Sequence, residues 1–259
     1  MEAASRRALD VGWLRAHRAA RRERAGRGGA GAAAAGGPAA GGPAAGGKYL
    51  EPYRDVIRER GAGFEALLWS SRESQRARFR AVCEMVELQG RTVLDAGCGN
   101  ADFLEFLDGA GVGYRSYLGI DALAELVENA RRLGRPAERL AVLDFVAETE
   151  AFRTVGRWLG GPPEIIVFSG SLNTLEQGQA LAVLERAWAA CGEALVFNFL
   201  CSGPNDPPPA RQPGPARRFE TLAMLRWALA RTELVRYRQD YLCGHDGTVA
   251  MRKGGRITG

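Results

Sequence analysis

Between Val93 and Asn100 the chain reads Val-Leu-Asp-Ala-Gly-Cys-Gly-Asn: a short apolar run, a carboxylate within it, then two glycines one residue apart. Leu104 and Leu107 follow at helical spacing, and Gly109 is expected to close that helix. A strand that turns through glycines directly into a helix commits the chain to a strand–helix unit. The next strand of such a unit lies parallel to the first.

The unit then recurs. Tyr117–Ile120 reads as a second strand, and Leu123, Leu126, Val127 and Ala130 mark one face of the helix after it. Leu140–Phe145 is expected to be a third strand and Glu164–Ser169 a fourth, behind Pro162-Pro163. Leu181, Leu184, Trp188 and Cys191 mark a helix, Glu193–Cys201 a fifth strand with a continuous apolar core, and Leu222, Leu225 and Leu229 a further helix. Two last strands, Leu234–Cys243 and Thr248–Arg252, flank His245-Asp246-Gly247, so they must be antiparallel. The expected fold is α/β: a mostly parallel sheet with a closing antiparallel hairpin and helices on both faces. Ligands of such sheets bind at the carboxyl ends of the strands, where the strand order reverses.

Charge separates the segments that surround this pattern. Of the 259 residues, 1–47 hold eight arginines and three acids and so carry the whole net charge of +5, while 48–259 hold 27 basic and 27 acidic side chains. Residues 1–24 read as a basic tail with the makings of a short helix around Val11, Trp13 and Leu14. Residues 25–47 contain ten Gly, ten Ala, two Pro and one Arg, too little bulk to offset ordering entropy, and are expected to form a disordered linker. The third segment, 48–259, is the expected catalytic domain. Its zero net charge disfavours a nucleic-acid partner, although the tail leaves one possible. Residues 203–217, with six prolines, make a long connection after the fifth strand that suits either a substrate lid or a surface insertion. No apolar run approaches the length of a membrane span. Five scattered cysteines without a CxxC spacing fit a reducing, cytoplasmic compartment rather than a disulfide or zinc framework.

The polar residues at the strand ends are Asp95, Gly97, Cys98 and Gly99, then Asp121 and Ala122, then Asp144 and Phe145, then Ser169 and Gly170. Asp121 follows Gly99 by 22 residues, at the end of the next strand, where a carboxylate can accept both hydroxyls of a ribose. A dinucleotide site would place a third glycine at position 102. Asp102 stands there instead and sets a negative charge where a pyrophosphate would lie. A ligand with a ribose and no phosphate fits better.

Taken together these residues resemble the class I S-adenosylmethionine-dependent methyltransferases, over about residues 64–253. Val93–Asn100 looks like their first motif, Gly119-Ile-Asp121 like the second, and Leu143-Asp144-Phe145 like the third. The resemblance implies a Rossmann-like seven-stranded sheet and S-adenosylmethionine as cofactor. It also implies that Gly97 and Gly99 approach the cofactor's methionine and ribose and that Asp121 holds the ribose hydroxyls. Asp144 would accept from the adenine amino group with Phe145 beside the ring, and Ser169 and Gly170 would line the methionine end. The usual last glycine of the first motif is Ala101 here.

Trp69-Ser-Ser-Arg-Glu-Ser-Gln75 looks like the lead-in of a group of bacterial methyltransferases, with Ser70 and Glu73 expected to form a capping box and Phe79, Val82 and Val86 the buried face. Trp69 and Gln75 are candidates to cover the cofactor or substrate, as is Asn198 on the fifth strand. Methyl transfer needs alignment and exclusion of water more than a dedicated catalyst. The catalytic candidates are Asn173 and His245, and no metal is expected, since Asp, Glu and His show no ligand spacing around the site. The expected acceptor is a small molecule. The alternatives are a cofactor-binding regulatory protein that has lost catalysis, and an RNA methyltransferase that uses the basic tail.

Overall fold

The computed structural model describes residues 47–202 and 215–254. The expected basic tail, nearly all of the Gly/Ala linker and most of the proline-rich connection lie outside the described residues.

Eight strands form one sheet: β1 (Thr92–Ala96), β2 (Ser116–Asp121), β3 (Leu140–Val142), β4 (Ile165–Phe168), β5 (Ala194–Cys201), β6 (Arg218–Phe219), β7 (Val235–Arg238) and β8 (Asp246–Arg252). Their order is β3-β2-β1-β4-β5-β8-β7, with the two-residue β6 paired to the end of β5. All pairings are parallel except β5 with β8 and β7 with β8. The chain therefore winds outward from β1 in one direction and from β4 in the other. The reversal falls between them, directly beside the glycine turn.

Among the described residues seven α-helices accompany the strands: α1 (Glu51–Arg60), α2 (Arg72–Met85), α3 (Asp102–Ala110), α4 (Ala124–Arg132), α5 (Ala151–Leu159), α6 (Gln177–Ala190) and α7 (Thr221–Leu229). The two-residue period of the strands sorts the core into two layers. Leu94, Leu118, Ile166 and Leu195 point to one face and pack under α5, α6 and α7 through Phe152, Leu184 and Met224. Val93, Tyr117, Val167 and Val196 point to the other and pack under α2, α3 and α4 through Val82, Leu104 and Val127. Burying a large apolar side chain in either layer is worth about 1.5–3 kcal/mol. The parallel strands are buried on both faces, which is why their sequences run apolar without alternation.

Several boundaries differ from expectation for local reasons. Helix α3 passes through Gly109 and ends at Gly111, whose φ of 71° is left-handed and lets its N–H reach Leu107 and Asp108. Strand β3 stops at Val142 instead of Phe145, because the Asp144 carboxylate turns back to accept from the Val146 and Ala147 N–H groups. The cap of α2 is Ser71, not Ser70: its Oγ accepts from Ser74 N at 3.0 Å, while Ser70 pairs with the Ser74 hydroxyl. In α7 the buried positions are Met224 and Ala228, whereas Leu222 and Leu229 are 59% and 57% exposed. Both hairpin strands move. β7 is four residues long, a turn of 3-10 helix covers Leu242–Gly244, and Asp246 and Gly247 belong to β8.

Candidate functional site

The glycine turn is built by two needs acting together. Gly97 and Gly99 have φ of 82° and 53°, in the left-handed region, and both N–H groups are held from β2: Gly97 N by Ile120 O at 2.8 Å and Gly99 N by Asp121 Oδ2 at 2.9 Å. Neither glycine has room for a methyl group. At Gly97 it would strike Ser171, and at Gly99 the Leu67 side chain. Ala101 adopts φ 55° at the start of α3, at a cost of about 1 kcal/mol for a residue with a Cβ.

Three carboxylates stand over this turn from three strand ends. Asp121 closes β2, and its two oxygens accept one N–H each, from Gly99 and from Leu123. The Ala122 N–H also points at the carboxylate, which keeps accepting capacity for a further donor. Asp95, in β1, accepts from the Tyr117 hydroxyl at 2.5 Å. Asp144 uses Oδ1 for the turn after β3 and accepts at Oδ2 from the Tyr49 hydroxyl at 2.6 Å. Phe145 sits in an aromatic cluster with Phe152 and Phe168 and shows one edge to the cavity. Burial pushes the Asp95 carboxyl up to about 7, against the Tyr117 hydrogen bond and with help from Asp121 and Asp102. Burial likewise lifts Asp121 to about 6, and its backbone donors work in the opposite direction.

The far wall comes from the segment before β1. Asn100 ties it down: its Nδ2 donates to the carbonyls of Ala62 and Gly63 at 3.1 and 3.3 Å, and its Oδ1 accepts from Asn129. That anchor lays Leu67 on Gly99. Trp69 packs on Gly170, whose φ is 76° and whose missing side chain leaves the space the indole takes. The Arg78 guanidinium lies 4.8 Å from the Trp69 ring centre. Gln75 is buried and donates to Asp102 Oδ2 at 2.9 Å. Tyr49 and Tyr53, ahead of and within α1, complete the wall. Sequence reasoning missed both tyrosines, because they precede the stretch where the motifs lie.

These walls enclose a cavity of about 780 Å³, its open mouth included. Asp95, Gly97, Cys98, Gly99, Asp121, Ala122, Asp144, Phe145, Ser169, Gly170, Trp69 and Gln75 all line it. Among the described residues its lining holds four carboxylates (Asp95, Asp102, Asp121 and Asp144) and no Lys, Arg or His. Asn198 is absent from the lining. It is fully buried, accepts from Gly170 N at 2.8 Å and donates to Ser169 Oγ at 3.2 Å, so it fixes the loop after β4 rather than covering the site.

A second chamber of about 1200 Å³, also open to solvent, adjoins the first. Asn173 and His245, the two catalytic candidates, both line it, with Arg78 and Arg218. Asn173 Oδ1 receives Leu200 N at the end of β5. Among the described residues no three His, Cys, Asp or Glu side chains converge on a place for a metal, and no helix is long and apolar enough to cross a membrane.

No family model and no curated protein matches the sequence. Solved structures do match in fold. The magnesium protoporphyrin IX methyltransferase of Synechocystis PCC 6803 with bound SAH superposes over 78% of this chain and 98% of its own, with a TM-score of 0.55 and 14% identity. A SAM-dependent methyltransferase from Archaeoglobus fulgidus covers 78% of this chain and 99% of its own at 14% identity and a TM-score of 0.53. Human N-acetylserotonin methyltransferase in complex with SAM covers 80% of this chain and 63% of its own at 15% identity and a TM-score of 0.53. The chain has the Rossmann-like fold of the class I methyltransferases.

Proposed function

We propose that the chain binds S-adenosylmethionine in the first cavity and transfers its methyl group to a small molecule held in the second. The carrying observation is the charge of the first cavity: four carboxylates and no basic side chain among its lining residues. A dinucleotide would bring two phosphates to those carboxylates. S-adenosylmethionine brings a sulfonium, an ammonium and one carboxylate, a net positive charge that suits the cavity. The donor set fits as well, since Asp121, held by backbone N–H groups alone, keeps accepting capacity for ribose hydroxyls. Asp144 offers its Oδ2 to an adenine amino group, shared with or surrendered by Tyr49.

The bound cofactor supplies an activated methyl group on sulfur. The chain's own residues do the rest. Asp121 and Asp144 set the cofactor's register on the sheet, and Trp69 on Gly170 closes the methionine end against water. Gly170 belongs to both cavities, so an acceptor in the second chamber approaches from the side where the loop after β4 is held by Asn198. The structural neighbours that methylate small molecules agree with this reading, which rests on the cavity. Titration calorimetry tests it. S-adenosylmethionine and S-adenosylhomocysteine should both bind, the cation more tightly at low salt, and NAD should not. Binding of NAD, or of neither adenosyl compound, overturns the proposal.

A further inference from the structure

Among the described residues the second chamber holds one histidine, and its neighbours fix where the ring proton sits. His245 stands at the turn into β8 with its side chain 47% exposed. Its Nε2 lies 2.6 Å from Arg218 Nη2, and its Nδ1 lies 3.1 Å from Asp246 Oδ2. A guanidinium carries only N–H donors and accepts nothing. Nε2 is therefore the acceptor of the first contact, which leaves the proton on Nδ1, directed at the carboxylate.

That carboxylate is held by its burial and its ion pair. Asp246 is fully buried and Arg78 grips it twice, Nε to Oδ1 at 2.7 Å and Nη2 to Oδ2 at 2.6 Å. Arg78 is itself held under Trp69. The series runs from α2 through the first residue of β8 to the chamber, and it ends in an unprotonated imidazole nitrogen.

Resting on the methyl-transfer reading, we infer that His245 is the general base for the acceptor, and that the acceptor is a hydroxyl on a flat apolar body, such as a phenol. A neutral amine or a thiolate presents its electron pair without help, whereas a hydroxyl is a weak nucleophile until its proton has somewhere to go. The chamber walls suit a flat apolar body: the rings of Trp69 and Tyr53 and the side chains of Leu67, Leu68 and Leu200. In the step, the acceptor O–H replaces the Arg218 N–H at Nε2, while Arg218 Nη1 stays on the Cys201 carbonyl. The O–H bond breaks and its proton passes to Nε2. The oxygen pair forms the bond to the methyl carbon, and the carbon–sulfur pair leaves with sulfur as a neutral thioether. The imidazolium returns its proton to solvent from the exposed side of the ring. Asp246 is a positioning residue that holds Nδ1–H and balances the charge.

The test uses the full chain saturated with S-adenosylhomocysteine and 4-nitrophenol as probe, because its ionised form absorbs in the visible. At a pH where the free phenol is largely protonated, the bound probe should be ionised. In His245→Gln the ionised fraction should fall at least tenfold, with S-adenosylhomocysteine affinity unchanged. For any phenol that is methylated, kcat should fall by about a hundredfold or more. Nitrogen-15 NMR supplies a readout independent of turnover. The chain has two histidines, His17 and His245, so the variant assigns the signals, and Nε2 should be the unprotonated nitrogen. Asp246→Asn should populate the opposite tautomer in the same spectrum; where that variant does not fold, the His245→Gln comparison decides. A probe that fails to bind, binds without ionising, ionises equally in His245→Gln, or a proton found on Nε2, overturns the assignment. Failure of the parent chain to bind S-adenosylhomocysteine overturns the methyl-transfer reading instead, and is seen before the phenol is added.

Discussion

The two chambers share Tyr53, Leu67, Trp69, Gly170 and Thr174 as a common wall, yet they are built and charged in opposite ways. The first takes its polar groups from the ends of adjacent parallel strands and presents carboxylates alone. The second takes Arg218 from β6 and His245 from the turn into β8, beside an Arg78 of α2 already neutralised by Asp246, and presents a guanidinium and an imidazole. A ligand pair in which a cationic donor meets an acidic or neutral acceptor suits that division. Charge then sorts the two ligands before shape does.

The comparison breaks most visibly at Asp121. Replacing it with Ala removes two charge-assisted contacts to the ribose, each worth about 1.5–3 kcal/mol, so calorimetry should show S-adenosylhomocysteine affinity falling by about two to four orders of magnitude. The same change orphans the Gly99 and Leu123 N–H groups, which should lower the melting temperature as well. Asp121→Asn keeps one acceptor and separates the two effects. Unchanged affinity in both variants would remove Asp121 from the site.

Gly170→Ala strikes the shared wall. The residue has φ 76° and a methyl there would displace the Trp69 ring, so denaturant unfolding should lose about 2 kcal/mol. Affinity for S-adenosylhomocysteine should weaken in step. A loss of stability with cofactor binding intact would mean that Trp69 serves the core and not the cavity.

Protonation sharpens the difference in charge. Burial lifts Asp95 to about 7 and Asp121 to about 6, above the value of about 3.9 for an unfolded aspartate. The folded chain thus holds protons that the unfolded chain has released. Between about pH 4 and pH 7 stability of the ligand-free protein should fall with rising pH, by on the order of several kcal/mol. Affinity for S-adenosylmethionine should move the other way, because ionised carboxylates attract the cation. Asp95→Asn should flatten the stability profile while its amide oxygen still accepts from Tyr117. A stability curve that rises across this window would contradict the environment assigned to both groups.

The smallest effect is expected at Ala101, where this chain departs from the glycine of the resembling motif. Ala101→Gly relieves the φ of 55° but loses a buried methyl and gains chain entropy, so the net change should lie within about 0.5 kcal/mol. Ala187→Gly, buried in the last turn of α6, should cost about 1 kcal/mol. Equal costs would mean that the left-handed turn carries no strain.

The first chamber was legible in the sequence because its chemistry lies at one repeated address. Each of Asp95, Asp121 and Asp144 follows or closes an apolar run, and parallel winding brings such positions side by side. Lone residues without that address were not legible. Tyr49 reaches Asp144 across 95 residues, and Arg78 reaches Asp246 across 168, contacts that no period or spacing announces. Asn198 misled for the opposite reason: it stands in a strand that ends at the site, but a fully buried side chain there serves the neighbouring loop. In α7 the leucine spacing marked the helix but not its buried positions: Met224 and Ala228 reach the sheet, Leu225 packs beside them, and Leu222 and Leu229 stay exposed. Helix α5 has no sequence signature beyond Phe152 and Val155 three apart, and one such pair is too short a pattern to separate from a loop.

The central claim, that the acidic cavity over the glycine turn is where an adenosyl sulfonium binds, is tested most directly by a crystal structure of the chain grown with S-adenosylhomocysteine. The account predicts the ribose hydroxyls on the two Asp121 oxygens, the adenine edge toward Asp144 and Phe145, and the sulfur facing the chamber that holds His245. A ligand seated elsewhere, or a ribose that leaves Asp121 untouched, would contradict it.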